Sequence, residues 1–178
     1  MRYSKGFNLI ELMVVVFIVS VLTAIALPAY TNYMIRGKIP DATSNLASKR
    51  VQMEQFFQDN RTYANSNLAA VGTTPAGPCA TDSTSSKYFV FTCTAQGVAG
   101  TPPSVSNYVI TASGYNPLNA VNPPDHSMAG FTYTIGNWNA VTGVSQDNVK
   151  TSTITAPAPT GWPATSTSCW ITKTGGAC

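Results

Sequence analysis

Charge is scarce in this chain. Its 178 residues carry 10 Lys and Arg, 7 Asp and Glu and one histidine, so that only 10% of the sequence is charged. The single His126 is flanked by Asp125 and Ser127, but adjacent residues do not make a catalytic relay, because a triad needs side chains that converge in space. It reads as a loop residue. No glycine-rich phosphate-binding motif and no His/Cys cluster at metal-ligand spacing is present, so the usual signatures of nucleotide and zinc chemistry are missing. An enzyme is not expected, and neither is a cofactor or a metal.

The charge that exists is spread evenly. Residues 1–29 hold Arg2 and Lys5 against Glu11, residues 30–59 hold Arg36, Lys38, Lys49 and Arg50 against Asp41, Glu54 and Asp59, and the remainder holds Arg61, Lys87, Lys150 and Lys173 against Asp82, Asp125 and Asp147. Each region nets +1, so no segment concentrates the overall +3 into the basic face that nucleic-acid binding favours. Trp138, Trp162 and Trp170 read as packing or surface residues rather than as platforms for stacked bases.

The apolar residues, by contrast, are concentrated. From Phe7 to Leu27 run 21 residues whose strongly polar members are Asn8 and Glu11, with Ser20 and Thr23 as mild interruptions. A helix of that length rises about 30 Å, the thickness of a bilayer's hydrocarbon core. Three readings compete: a cleaved signal peptide, a permanent anchor, and an assembly helix preceded by a short leader. The run exceeds the usual core of a signal peptide, about 7–15 residues. Arg2 and Lys5 precede the run and Arg36 and Lys38 follow it, so charge bias does not orient it.

Four cysteines, Cys79, Cys93, Cys169 and Cys178, all lie in the later, Thr/Ser/Gly/Pro-rich part, none in a C-x-x-C spacing. An even count after an export-like N-terminus favours two disulfides in an oxidising compartment. Of the three pairings, loop closure favours the short-range one, Cys79–Cys93 with Cys169–Cys178. Oxidation requires residues beyond about position 30 to face the periplasm, with the N-terminus left in the cytoplasm.

Glu11 stands out, since an ionisable residue at the start of a membrane helix is a functional hypothesis by default. The plain alternative is that it lies at the membrane interface, where its cost is small. The string KGFNLIELMVVVFIVSVLTAIALPAY, residues 5–30, resembles the type III signal of type IV prepilins: a short basic leader, Gly6, a Phe, a Glu four residues on, then the apolar helix. The resemblance implies cleavage between Gly6 and Phe7 by a membrane prepilin peptidase and methylation of the new Phe7 amine. It also implies a docking role for Glu11, whose carboxylate would meet the Phe7 amine of a neighbouring subunit. Such pairing offsets the desolvation that a lone carboxylate would suffer in an apolar bundle.

Beyond this run, Pro28 removes a backbone donor and is expected to kink or locally open the helix, with Gly37 and Pro40 as a second weak point. The helix resumes as an amphipathic one. Ile35, Ile39, Ala42, Leu46, Met53 and Phe57 recur at three-, four- and seven-residue intervals, an apolar face that belongs to a core. Arg50 and Glu54, four apart, are expected to pair on the wet face. Residues 36–63, RGKIPDATSNLASKRVQMEQFFQDNRTY, again resemble type IV pilins, in the group of minor and DNA-uptake pilins.

After Tyr63 the helical period is lost. Short β-branched and aromatic runs predict strands at 87–94, 107–113, 130–136 and 149–155, with a short one at 169–173. Residues 64–86 and 114–129 read as long loops that carry surface identity. The expected fold is α+β and pilin-like: a long N-terminal helix packed on an antiparallel sheet, closed by a C-terminal disulfide loop. Its segments are a leader over 1–6, a membrane and assembly helix over 7–29, an amphipathic half over 30–60 and a β-rich head over 61–178.

The function implied is that of a major or minor subunit of a type IV pilus, held as a single-pass precursor in the bacterial inner membrane and then polymerised. Its partners would be other pilin subunits, prepilin peptidase and the assembly machinery, in the service of motility or adhesion. Two alternatives stay open: a filament-borne DNA receptor for natural transformation, and a pseudopilin of a type II secretion system.

Overall fold

The computed structural model of the chain describes residues 8–64, 66, 77–96, 106–114, 125–139 and 144–178. Gly6, Phe7 and the leader lie outside the described residues, as do parts of the loops at 64–86 and 114–129. The chain divides into two compact units, residues 1–35 and 36–178.

A single helix, α1 (Leu9–Asn60), runs from the first unit into the second. Pro28, Gly37 and Pro40 all lie inside it, and the helix is not interrupted at any of them. The opening expected at Pro28 is thus not seen as a break. A proline deletes one i→i−4 bond, while the turns on either side keep theirs.

In the second unit Ile39, Ala42, Leu46 and Met53 are buried, as their spacing required, and Phe57 is half-buried against the ring of Tyr63 at 4.9 Å between centroids. Among the described residues five antiparallel strands follow in chain order: β1 (Phe89–Gln96), β2 (Asn107–Gly114), β3 (Phe131–Asn139), β4 (Val144–Ile154) and β5 (Ala164–Ser166). The period-2 alternation of each strand puts one face into the core. One row crosses the whole sheet in register, Phe91, Ala112, Tyr133, Ser152 and Ser166. The first four of these are buried.

Two expectations need correction. Residues 169–173 are not a strand, although Cys, Trp, Ile and Thr are good strand formers. Their backbone is held by a side chain instead: the Ser152 hydroxyl donates to the Cys169 carbonyl at 3.0 Å and accepts the Ile171 N–H at 3.0 Å. The edge strand is β5, a few residues earlier. Second, Arg50 and Glu54 do not pair with each other. Arg50 donates to the Asn148 side chain at 2.9 Å, and Glu54 accepts the Tyr108 hydroxyl at 2.8 Å and the Tyr63 hydroxyl at 3.4 Å. Burial, and after it Glu54, pushes the Tyr108 phenol well above its ordinary range.

Disulfides Cys79–Cys93 and Cys169–Cys178 tie the segment before β1 to β1 itself and close the C-terminal loop, with Cα separations of 4.9 and 6.1 Å. The segment before β1 is further riveted to the helix. Asp82 bridges to Phe91 through two backbone bonds and meets the Lys49 ammonium at 2.7 Å, while the Ser86 hydroxyl donates to Asp41.

Burial raises the proton affinity of Asp82, but the Lys49 ammonium, the Ser85 hydroxyl and the N–H groups of Thr84 and Ser85 outweigh it and hold the carboxyl well below its usual range. Its contribution to stability is therefore complete above the unfolded value of about 3.9 and is lost progressively as the pH falls toward the lower folded value. Asp82→Asn is expected to cost about 1–2 kcal/mol near neutrality. In urea titrations with the disulfides intact, the gap between variant and wild type should close as the pH is lowered from 5 toward 2. A gap that held constant across that range would show that Asp82 acts through its shape and not its charge.

Candidate functional site

The feature that sets this chain apart from an ordinary soluble domain is the first part of α1. Every residue from Asn8 to Thr31 is exposed, including Leu9, Ile10, Leu12, Met13, Val14, Val15, Phe17 and Leu22. This helix is long and apolar enough to cross a membrane. A sleeve of this kind costs about 25 cal/mol for each Å² of apolar surface left in water, so it demands either lipid or other apolar helices around it.

Its serine and threonine hydroxyls are satisfied inside the helix. The Ser20 hydroxyl donates to the Phe17 carbonyl at 2.7 Å, Thr23 to Val19 at 2.8 Å and Thr31 to Pro28 at 3.0 Å. Internal bonding of that kind is what an apolar surrounding requires.

Asn8 starts the helix. Its side-chain oxygen accepts the Ile10 N–H at 3.3 Å, and its carbonyl accepts the N–H groups of Glu11 at 3.0 Å and Leu12 at 3.2 Å. Asn8 is thus an N-cap, a role the sequence reading missed although the signal was present: Asn followed three residues later by Glu just before an apolar run. Glu11 sits in the first turn, where the positive end of the helix dipole favours an acid. It is exposed there, the single acid on the sleeve.

The other singled-out residues divide clearly. His126 is exposed, and its flanking Asp125 and Ser127 are both engaged by Lys38, at 3.4 Å to the carboxylate and 2.5 Å to the hydroxyl. Hydrogen bonds from Ser127 first, and then Lys38, lower the Asp125 carboxyl below its ordinary value. Asp125 and Ser127 thus fasten this turn to Lys38 on the helix. Trp162 is fully buried, whereas Trp138 and Trp170 are half-buried. Of the head cations, Arg61, Lys87 and Lys173 are exposed, while Lys150 lies over the Trp170 ring at 4.7 Å.

Comparison with known proteins agrees with this layout. Residues 28–120, just over half of the chain, match the family model described as type IV minor pilin ComP, DNA uptake sequence receptor. Residues 1–27 match the prokaryotic N-terminal methylation motif. Similar curated proteins include the fimbrial protein EcpC of Eikenella corrodens, 36% identical over 69 residues that cover 39% of this chain and 45% of that protein. The type IV major fimbrial protein FimA of Dichelobacter nodosus is 36% identical over 76 residues, covering 42% of this chain and 47% of FimA. The type IV major pilin protein PilE1 of Neisseria gonorrhoeae is 35% identical over 68 residues, covering 38% and 32%. The chain thus spans less than half the length of these relatives.

Proposed function

Because the chain belongs to the type IV minor pilin family, we propose that it is a subunit of a type IV pilus, made as a membrane-anchored precursor and polymerised through its N-terminal helix. The observation that carries this reading is the wholly exposed apolar sleeve from Asn8 to Thr31 joined to a disulfide-stapled head. A bilayer covers such a sleeve before assembly, and neighbouring sleeves cover it afterwards. Residues 1–6 serve as leader, 7–29 as membrane and assembly helix, 30–60 as the amphipathic half and 61–178 as the head, which faces the periplasm while its cysteines oxidise. Prepilin peptidase cleaves after Gly6, and the new Phe7 amine is methylated.

Gly6 is required because a protease working at the membrane surface must approach the backbone closely, and a side chain at that position obstructs it. Replacing Gly6 by Val is expected to leave the precursor unprocessed, visible as a larger band that retains the residues before Phe7. N-terminal analysis of the wild-type mature protein should begin at methylated Phe7. A mature chain that began elsewhere would overturn the assignment.

A second reading, a filament-borne receptor for DNA, is favoured by the description of the matched family, a DNA uptake sequence receptor. Duplex binding by the full chain in detergent, titrated against salt, separates the two. A receptor shows affinity that falls steeply with salt as phosphate counterions are released. Loss of filaments on deletion of the gene points to a subunit that builds or primes the pilus, and loss of DNA uptake with filaments intact points to the receptor. Loss of protein secretion alone would reassign the chain as a pseudopilin.

A further inference from the structure

Between the outer part of α1 and β4 lies a groove of about 620 Å³ that no role described above uses. Arg50 and Val51 line it from the helix, Lys150 from β4 and Trp170 from the C-terminal loop. Gln55 and Gln58, one and two turns further along the helix, complete its wall. Its charge is concentrated: among the described residues the ion pairs are Lys38–Asp125 and Lys49–Asp82, so neither Arg50 nor Lys150 has a carboxylate partner. Glu54 also borders the groove, but the Tyr108 and Tyr63 hydroxyls occupy its two oxygens. The phenol hydrogen bonds leave the Glu54 charge in place, so the groove holds two cations against one carboxylate, a net charge of +1.

The cations are held in place. Arg50 is fixed through one guanidinium nitrogen to Asn148, a residue in the left-handed region at φ 60, and its remaining donors stay available. Lys150 is stacked over an indole whose own N–H is spent on the Thr134 carbonyl at 2.8 Å. Gln55 and Gln58 are exposed on the same wall. Each of these carboxamides offers two N–H donors and a carbonyl acceptor.

We propose that this groove binds an acidic saccharide, a uronic-acid-type sugar whose carboxylate sits between Arg50 and Lys150. The carboxylate matches the guanidinium fork and the ammonium. Sugar hydroxyls find the two carboxamides, and the apolar C–H face of the ring packs on the exposed Val51. A groove of this size holds one or two sugar rings. Duplex DNA fits it poorly, since polyanion binding draws on a row of phosphate contacts, commonly about 6–10, and here two cations are gathered in one recess.

The test uses the full chain in a sugar-free detergent and follows ligand resonances by saturation-transfer NMR, with titration calorimetry for affinity. A hyaluronan tetrasaccharide, which alternates glucuronate with N-acetylglucosamine, is the probe, and neutral chitotetraose and a 12-base-pair duplex are the comparisons. Hyaluronan should bind, and chitotetraose should bind about tenfold more weakly or not at all. Lys150→Met should lose about tenfold in affinity, Lys150→Arg should restore most of it, and Gln55→Ala, at an exposed position that leaves the core alone, should lose several-fold. Unchanged far-UV circular dichroism and unfolding midpoint confirm that each variant is folded. Hyaluronan that fails to bind, that binds no better than chitotetraose, or that is indifferent to Lys150→Met and Gln55→Ala overturns the proposal. Binding of the duplex alone, sensitive to Lys150→Met, overturns it in favour of a phosphate contact.

Discussion

Glu11→Ala is expected to leave the subunit inserted, processed and folded, yet to reduce its incorporation into filaments by about tenfold or more. Removing a carboxylate makes a membrane helix cheaper to insert, so anchoring does not suffer. The helix keeps its start, because the Asn8 carbonyl and side chain, not the glutamate, receive the first N–H groups. What is lost is the countercharge. If, as proposed, sleeves cover one another in a filament and Glu11 meets the Phe7 amine of a neighbour, that amine would be buried without a partner, a situation far costlier than the loss of the pair as a whole. Glu11→Gln should fall between the two, since an amide still accepts a hydrogen bond from the amine but brings no charge. Comparison of membrane-held and sheared-filament fractions, at equal levels of processed subunit, checks the ordering. Equal incorporation of wild type and Glu11→Ala would return Glu11 to the plain role of an interfacial acid favoured by the helix dipole.

The apolar sleeve was legible in the sequence for a physical reason: membrane helices report on themselves. Hydropathy and the position of one acid are local in the chain, and they need no tertiary structure to interpret. The same holds for the apolar stripe of Ile39, Ala42, Leu46 and Met53, where a helical period fixes the buried face. Strands β1 to β4 were visible as β-branched and aromatic runs, with ends displaced by a few residues because ladders extend as far as their partners allow.

What escaped the sequence was contributed by distant partners. Arg50 and Glu54 had the spacing of an ion pair, worth a few tenths of a kcal/mol at the surface. Partners from β2 and β4 supplied better bonds to each: a buried phenol for Glu54 and a carboxamide for Arg50. Residues 169–173 had strand composition, but the Ser152 side chain took the backbone groups that a ladder would have used. The groove lined by Arg50, Lys150 and Trp170 joins a helix, a strand and the C-terminal loop, and no local pattern announces it. Asn8 was legible and overlooked, its capping signal hidden beside the more conspicuous glutamate.

Trp162→Ala is expected to be the most damaging single substitution in the head, at about 3–5 kcal/mol. Its side chain is fully buried and stands edge-on to Phe131, with ring centroids 5.3 Å apart. The residue also ends a turn that the backbone specifies closely: its N–H donates to the Pro159 carbonyl at 3.1 Å, and Gly161 adopts φ 87, a conformation that suits glycine. The Gly161 carbonyl then accepts the Gly175 N–H at 2.8 Å. Trp162 therefore pins β3 beneath the loop that carries Cys169–Cys178, and truncation leaves a cavity that these crossed constraints prevent from collapsing. For a domain of this size the loss corresponds to a fall of roughly 10 °C in melting temperature. Trp162→Phe, which keeps the aromatic contact with Phe131 and removes less volume, should cost less than half as much. Trp170→Phe is the comparison at a half-buried site: it gives up one hydrogen bond to Thr134, worth about 1 kcal/mol. Thermal unfolding followed by near-UV circular dichroism, with both disulfides oxidised, ranks the three. If Trp162→Ala melted within two or three degrees of wild type, the C-terminal loop would be a lid resting on the core and not a part of it.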